Sequence, residues 1–264
     1  MGIPKELQGQ PWSNILWDDV QQYAHNIDTY LSLPARPVIV DVGGNIGAAA
    51  LLFHLRYQAR VVSIEAIAET HAQLEQNCSA YPKITTVHYA IGTTQGTITL
   101  YRYPLAPGLG GLDASRMHIW YVLTMQVVHK ISWRSLKDIL LAPFRVIGAI
   151  LWSIFAFCIV WTRKKQVVEQ QTLSHIIETH LEEVKIDLVK IDIEGHELKA
   201  LQGLTNQHWK RIQSCIMEVH PQHIDDVLCL LSQNGLELVH REPALLHGEN
   251  VPDILIAKRK DHHQ

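Results

Sequence analysis

Residues 38–49 read VIVDVGGNIGAA, and this stretch decides the fold. An apolar, β-branched run leads to Asp41, a glycine-rich turn follows, and helix formers begin after Gly47. This order predicts a strand, a tight turn and a helix, which is the opening βα unit of a nucleotide-type α/β domain. Gly43, Gly44 and Gly47 let the backbone turn sharply and approach a ligand closely.

The turn also indicates which ligand is bound. A dinucleotide fingerprint would need a glycine at position 42, where Val42 stands, and the Asp41 carboxylate would repel a pyrophosphate. These two residues therefore disfavour an NAD-dependent oxidoreductase. A carboxylate suits a ligand that carries an ammonium and a sulfonium, as S-adenosylmethionine (SAM) does. The SAM carboxylate can still use the helix N-terminus after Gly47. A ligand-free turn is the alternative, but packing alone explains three such glycines poorly.

A second acid supports the same cofactor. Residues 60–65, RVVSIE, predict a second strand that ends at Glu65, about where these folds place the acid that bonds the ribose hydroxyls. Taken alone, Glu65 would be an ordinary solvated strand end, but next to the glycine turn the ribose role is the better interpretation. The residues predicted to bind SAM are Asp41, Gly43, Gly44, Asn45, Gly47, Glu65, Ala90 and Asp192.

Strands and helices alternate along the whole chain. A helix is predicted over 13–32 and a short accessory strand over 96–103. Core strands are predicted at 38–42, 60–65, 84–89, 186–192, 212–219, 236–240 and 253–258. This alternation predicts an α/β fold with a mainly parallel sheet and helices on both faces. We divide the chain into an N-terminal helical segment (1–35), the first half of the domain (36–103), an insertion (104–165) and the second half (166–264).

Composition narrows the functional class. The 264 residues are 47% hydrophobic, enough for one sizeable domain with an insertion. A net charge of −3 gives no reason to expect nucleic acid as a partner. The four cysteines form no C-x-x-C pair and show no zinc spacing, which is typical of a reducing, cytoplasmic setting. The opening residues MGIPKELQGQ lack the apolar core of a signal peptide.

A second motif follows at 186–204, IDLVKIDIEGHELKALQGL. Asp192 and Glu194 stand at the carboxyl end of a buried strand, the edge that faces the cofactor crevice. The next strand ends with Glu218 and His220 on the same edge. The sequence therefore gathers acids and an imidazole beside the predicted SAM site.

With these residues the chain resembles the FkbM family of SAM-dependent methyltransferases. The similarity rests on DVGGNIG at 41–47, Glu65, VKIDIEGHE at 189–197 and MEVHP at 217–221, and it covers roughly 36–103 and 166–258. The resemblance implies a seven-stranded, Rossmann-like class I methyltransferase sheet and bound SAM. It also implies O-methylation of sugars, lipids or secondary metabolites, without choosing among these acceptors.

Methyl transfer from a sulfonium is an in-line displacement, so much of its rate can come from positioning. A hydroxyl nucleophile also needs a base. The catalytic candidates are His220, Asp192, Glu218 and Glu194. His220 is the best candidate for the base, because the pKa of an unperturbed histidine lies near neutral pH. A structural role, in which the imidazole at the strand end bonds to the backbone, is an equal alternative. Asp192 is expected to orient the SAM amine or the acceptor, and Glu194 to accept N–H bonds at the following helix. No ligand spacing demands a metal, so none is predicted.

The insertion differs in composition from the sequence of an ordinary soluble enzyme. Residues 116–165 hold eight Lys or Arg and one acid, Asp138, and contain four of the seven tryptophans. The apolar run 146–162 would span about 25 Å as a helix, short of a hydrocarbon core of about 30 Å. A single crossing would also separate strands that must share one sheet. A second apolar run, 119–128, is shorter still.

These features predict a re-entrant or interfacial helical element on an anionic leaflet. It would make the protein monotopic on the cytoplasmic face of a membrane and would favour a lipid-like or amphipathic acceptor. One alternative is a soluble methyltransferase of a sugar or small metabolite, with the insertion as a lid or as the contact of a homo-oligomer. The other is a membrane-associated binding protein without turnover.

Overall fold

The computed structural model describes residues 1–10, 13–102, 136–193, 195–243 and 252–260. Glu194 and the predicted apolar run 119–128 lie outside the described residues. The chain forms two compact units, one made of Met1–Ile98 with Val168–Gln264 and the other of Thr99–Val167. The elements of the chain are α1 (Ser13–Tyr30), β1 (Val38–Val42), α2 (Ala48–Tyr57), β2 (Arg60–Ile64), α3 (Ala68–Cys78), β3 (Ile84–Val87), β4 (Ala90–Gly92), β5 (Gly96–Arg102), α4 (Leu136–Trp161), β6 (Lys164–Thr172), α5 (Leu173–His180), β7 (Leu188–Ile191), α6 (Glu197–Gln202), α7 (Asn206–Arg211), β8 (Ser214–Val219), a 3₁₀ turn (Pro221–His223), α8 (Ile224–Gln233), β9 (Leu236–Glu242) and β10 (Asp253–Arg259).

The first unit is built on a seven-stranded sheet in the order β3-β2-β1-β7-β8-β10-β9. β10 runs antiparallel to both of its neighbours, while the pairs from β3 across to β8 are parallel. This sheet confirms the predicted Rossmann-like fold. Strands β2 and β3 lie on one side of β1, and β7 lies on the other side. The strand order therefore reverses between β1 and β7. Ligands of open α/β sheets bind at such a point, outside the carboxyl ends of the strands.

The central strands are buried on both faces, as their near-continuous apolar sequences require. Successive residues point to opposite faces. Val40 and Val189 pack in one core layer with helices α5 to α8, and Ile39 and Leu188 pack in the other with α1 and α2. The result is a three-layer arrangement that fixes the strand ends rigidly.

The structure adds elements that the sequence analysis did not predict. The third strand ends at Val87, and the separate strand β4 pairs in parallel with β6 at residues 90–92 and 170–172. With β5 these strands form a second, three-stranded sheet. The sequence of β6, KKQVVEQQT, is mostly polar and only two of its side chains are buried, so hydrophobic alternation could not reveal it.

The second unit contains the long helix α4, which holds all but the last residue of the predicted apolar run. Two alanines of this helix, Ala149 and Ala156, are buried. Among the side chains described on this helix, seven large apolar ones are exposed by 45% to 62%: Ile147, Ile150, Leu151, Ile154, Phe155, Phe157 and Trp161. After the helix, the Arg163 guanidinium lies 4.2 Å from the centre of the Tyr101 ring. Within the described part of the chain, none of the helices combines the length and the apolar character that a membrane crossing requires.

Candidate active site

The turn after β1 has a conformation that only glycine satisfies at its first position. The N–H groups of Gly43 and Gly44 donate to the Ile64 carbonyl at 3.0 Å and 2.8 Å. Gly43 has a φ of +84°, and a Cβ there would lie 1.9 Å from the Asp192 carbonyl oxygen. Gly47, with a φ of +95°, is the N-cap residue immediately before α2. The backbone of the turn therefore lies in close contact with the end of β7, which the absence of a side chain at Gly43 permits.

The Asp41 carboxylate lies beneath this turn, fully buried. One oxygen accepts a hydrogen bond from the Ser63 hydroxyl at 2.7 Å, and the other lies 3.3 Å from the Lys190 Nζ. Its negative charge is therefore matched inside the protein. The structure therefore places Asp41 below the backbone of the turn, in contact with Ser63 and Lys190.

Glu65 lies at the end of β2, almost completely buried. Its oxygens accept the N–H of Asn45 at 3.0 Å and the N–H of Ile67 at 2.8 Å. Burial raises the pKa of Glu65, while these backbone hydrogen bonds and Lys190 oppose the rise. Carboxylate oxygens accept more than one hydrogen bond, so Glu65 retains capacity for a ribose hydroxyl. Ala90, the remaining predicted contact, begins β4 and is buried.

Lys190 is the group that sequence analysis missed at the centre of this edge. Its buried Nζ donates to the Gly43 carbonyl at 2.8 Å and lies 3.3 Å from both Asp41 Oδ1 and Asp192 Oδ2. Burial lowers the pKa of Lys190, but Asp192, Asp41 and Glu218 together outweigh burial and raise it. The ammonium therefore stays charged and ties the turn after β1 to the end of β7. The signal that could have revealed Lys190 in the sequence is a lone lysine within an apolar strand that is predicted to be buried.

Helix α1 adds a second unpredicted residue, Tyr23, which lies in the buried apolar stripe of this helix. The Tyr23 hydroxyl lies 2.5 Å from Glu218 Oε1 and 3.2 Å from Asp192 Oδ2. Burial and these two carboxylates raise the pKa of Tyr23 well above its usual value, so the phenol stays protonated. Burial and Asp192 raise the pKa of Glu218 to about 7. The structure thus brings Asp192 and Glu218 together as predicted, with a phenol between them.

His220 follows β8 on the same edge, and its side chain is 14% exposed. A Cβ on Gly195 would lie 3.7 Å from its Nδ1, so the imidazole lies beside the turn that follows β7. Burial and the neighbouring His223 lower the pKa of His220, while Asp192 acts in the opposite direction. The imidazole is therefore neutral at physiological pH and able to accept a proton. Among the described residues, no group of histidine, cysteine or acidic side chains is arranged to hold a metal ion.

Comparison with known proteins settles the family. A model of the methyltransferase FkbM domain matches residues 41–240, which is most of the chain. This chain belongs to the FkbM methyltransferase family. It is therefore a SAM-dependent methyltransferase, and the glycine turn with Glu65 fits that cofactor because it offers a tight backbone cradle and a buried acceptor carboxylate. SAM supplies the methyl group as a sulfonium.

The chain is also similar to individual proteins. The chain is 26% identical over 246 residues to the methyltransferase sdnD of Sordaria araneosa, covering 87% of this chain and 84% of the relative. Among solved structures it is similar to the methyltransferase FkbM of Methylobacillus flagellatus KT, with 13% identity and a TM-score of 0.48. That match covers 86% of this FkbM protein but only 44% of the solved chain. TrmK of M. capricolum, solved with S-adenosylhomocysteine, gives 9% identity and a TM-score of 0.46, covering 92% of this chain and 68% of the other.

Proposed function

We propose that this FkbM protein methylates a hydroxyl oxygen and that His220 is the general base. The observation that carries the proposal is the partly exposed imidazole that follows β8 at its carboxyl end. A base at this edge faces the crevice where ligands of such sheets bind. A neutral imidazole can remove the hydroxyl proton as the oxygen attacks the methyl carbon.

The neighbouring groups have distinct tasks in this proposal. Glu65 holds the ribose of SAM, and the glycine turn holds its carboxylate end. Asp192 has a side chain that is 31% exposed, so it can orient the SAM ammonium or the acceptor. Glu218 is less suited to be the base because its Oε1 already accepts the Tyr23 phenol. Lys190 keeps the backbone around these groups in place.

The base is tested with His220→Asn in an assay of methyl transfer from labelled SAM. General-base removal typically lowers the rate by about 10²- to 10⁴-fold, and we expect a loss in that range. SAM affinity, measured by calorimetry, should stay within about twofold because His220 is not placed in the cofactor cradle. His25→Asn, at an exposed position of α1, is the matched control. Full activity of His220→Asn would refute the assignment.

The acceptor is proposed to be lipid-like, reached while the protein is attached to a membrane surface through α4. The support is the row of exposed apolar side chains on that helix, followed by Arg163, Lys164 and Lys165. Exposed apolar patches of this kind mark interaction surfaces, and basic residues beside them favour anionic headgroups. Each basic residue near such a leaflet contributes about 1 kcal/mol.

Flotation with phosphatidylserine-containing liposomes tests the attachment. The wild type should float and Ile150→Asp/Ile154→Asp should not, because charged side chains oppose burial of the helix face. Leu55→Asp/Leu238→Asp changes exposed leucines of the other unit and should float normally. Wild type that stays at the bottom of the gradient, with a concentration-dependent mass, would favour the contact of a homo-oligomer instead.

Mass spectrometry identifies the acceptor. A total lipid extract incubated with the protein and methyl-labelled SAM should yield a labelled lipid. Label confined to water-soluble products of a cell extract would favour a sugar or small metabolite. SAM binding without labelled product from either extract would favour the non-catalytic binding protein.

A further inference from the structure

Glu197 is a buried carboxylate that the reaction described above does not use. It begins α6, and its Oε1 accepts the N–H of Gly195 at 2.8 Å and the N–H of Ile193 at 3.4 Å. These bonds hold the carboxylate against the turn that follows β7. One oxygen is thus anchored by the backbone, while the other is directed elsewhere.

That other oxygen faces His220. Glu197 Oε2 lies 4.0 Å from His220 Nδ1. Both atoms are buried, and neither has a hydrogen-bond partner among the described residues. A buried polar atom without a partner is destabilising, so two such atoms at this separation indicate a contact that closes by a small rotation of the imidazole.

We propose that Glu197 is a positioning residue that holds His220 with the proton on Nδ1, leaving Nε2 to accept the proton of the acceptor hydroxyl. The inference rests on the proposed role of His220 as the base. A carboxylate bonded to one ring nitrogen fixes both the tautomer and the orientation of an imidazole. The turn at Gly195 supports both partners, because Gly195 donates to Glu197 and packs beside the His220 ring.

Other charged groups around the pair set its response to pH. His220 is influenced by His223 from the 3₁₀ turn and by Asp192 after β7. Glu197 is influenced by Asp192, and burial raises its pKa to about 7. The carboxylate therefore gains its charge as pH rises through neutrality. We expect the methyl-transfer rate of the wild type to rise over the same range.

The wild-type protein offers the first test, which no folding defect can obscure. Nitrogen-15 NMR of histidine-labelled protein saturated with S-adenosylhomocysteine distinguishes the two tautomers, and the His220→Asn spectrum identifies the resonance. Above pH 8 we expect His220 to carry its proton on Nδ1. A proton on Nε2 would overturn the inference.

Glu197→Gln supplies the second test. The glutamine oxygen can still accept the Gly195 N–H, while its NH₂ would face Nδ1 and favour the opposite tautomer. Methyl transfer from labelled SAM to the total lipid extract or to the water-soluble extract should fall about 10²-fold, with SAM affinity within about twofold. The rise in rate near pH 7 should disappear, and the acid limb should move to lower pH because burial lowers the pKa of His220.

The two proposals fail in different ways. A wild-type rate and pH profile in Glu197→Gln, together with an impaired His220→Asn, would refute the positioning role alone. Full activity of His220→Asn would refute the base, and the role of Glu197 with it. A change to the Nε2 tautomer in Glu197→Gln, with a reduced rate, supports both.

Discussion

The carboxyl edge of the central strands and the helix α4 depart from the usual distribution of side chains in opposite directions. At the edge, Lys190 and Asp41 are charged and buried. On α4, Ile150 and Ile154 are apolar and more than half exposed. Buried charges and exposed apolar patches are the informative exceptions to ordinary burial. The first exception lies at the candidate active site, and the second lies on the helix that is proposed to contact a membrane.

The two regions differ in what stabilises their unusual side chains. At the edge, the protein itself supplies the partners, since Lys190 contacts Asp41, Asp192 and the Gly43 carbonyl. This makes the edge rigid and sensitive to single substitutions. On α4 the compensation is proposed to come from a lipid surface, so substitutions there should alter attachment and leave folding unchanged.

The largest effect is expected from Lys190→Met. Removal of one partner of a buried ion pair leaves an uncompensated charge and typically lowers the free energy of unfolding by about 3–5 kcal/mol. Urea unfolding followed by circular dichroism measures it. Lys185→Met, at an exposed position, should change stability by less than about 0.5 kcal/mol. Equal stability of the two variants would show that Lys190 does not hold the edge together.

Gly43→Ala should come next. The new Cβ would overlap the Asp192 carbonyl oxygen, and the residue would have to keep a positive φ. We expect a loss of about 2–4 kcal/mol in the free energy of unfolding, together with weaker SAM binding in calorimetry. Gly96→Ala is a suitable control because a Cβ at that position meets open space. A Gly43→Ala protein that binds SAM normally would contradict the close contact.

The sequence alone predicted the seven-stranded sheet, but it did not predict the network of charged groups around Lys190. Strand β1 was predicted with its observed bounds, because burial on both faces gives a run that is apolar except for Asp41. Asp192, Glu218 and His220 were predicted on one edge because parallel strands share their carboxyl ends. Tyr23 was missed because an apolar stripe does not show that a hydroxyl reaches two acids from another layer. Lys190 was missed because Asp41 and Gly43, two of its three partners, lie in a strand and a turn far from it in the sequence.

The pH dependence of stability should show an intermediate effect. The pKa of Glu197 is about 7 in the folded protein against 4.5 ordinarily, so the folded state binds this proton more tightly than the unfolded state. The wild type must therefore lose stability from this group as pH rises from 4.5 to 7. Glu197→Gln should gain about 2 kcal/mol relative to the wild type over that interval.

Urea unfolding of both proteins at pH 5 and pH 8 measures this difference. The two proteins must be compared with each other because His196 also changes stability over this pH range. Burial lowers the pKa of His196 to about 4, so its contribution to the free energy of unfolding rises with pH in both proteins, opposite to that of Glu197. A constant difference between the two proteins would mean that Glu197 titrates as an ordinary carboxylate.

The smallest effect is expected on α4. Ile150→Ser/Ile154→Ser removes exposed apolar surface, so the free energy of unfolding should change by less than about 0.5 kcal/mol. Thermal or urea unfolding without lipid measures this. A large destabilisation would show that these side chains pack within the protein and would remove the contrast with the carboxyl edge.

The near-contact of Gly43 with the Asp192 carbonyl has an evolutionary consequence. Two motifs that lie far apart in the chain share one interface with no spare volume, so neither can drift without a matching change in the other. Relatives that methylate other acceptors should therefore differ in other parts of the sequence and keep both motifs unchanged.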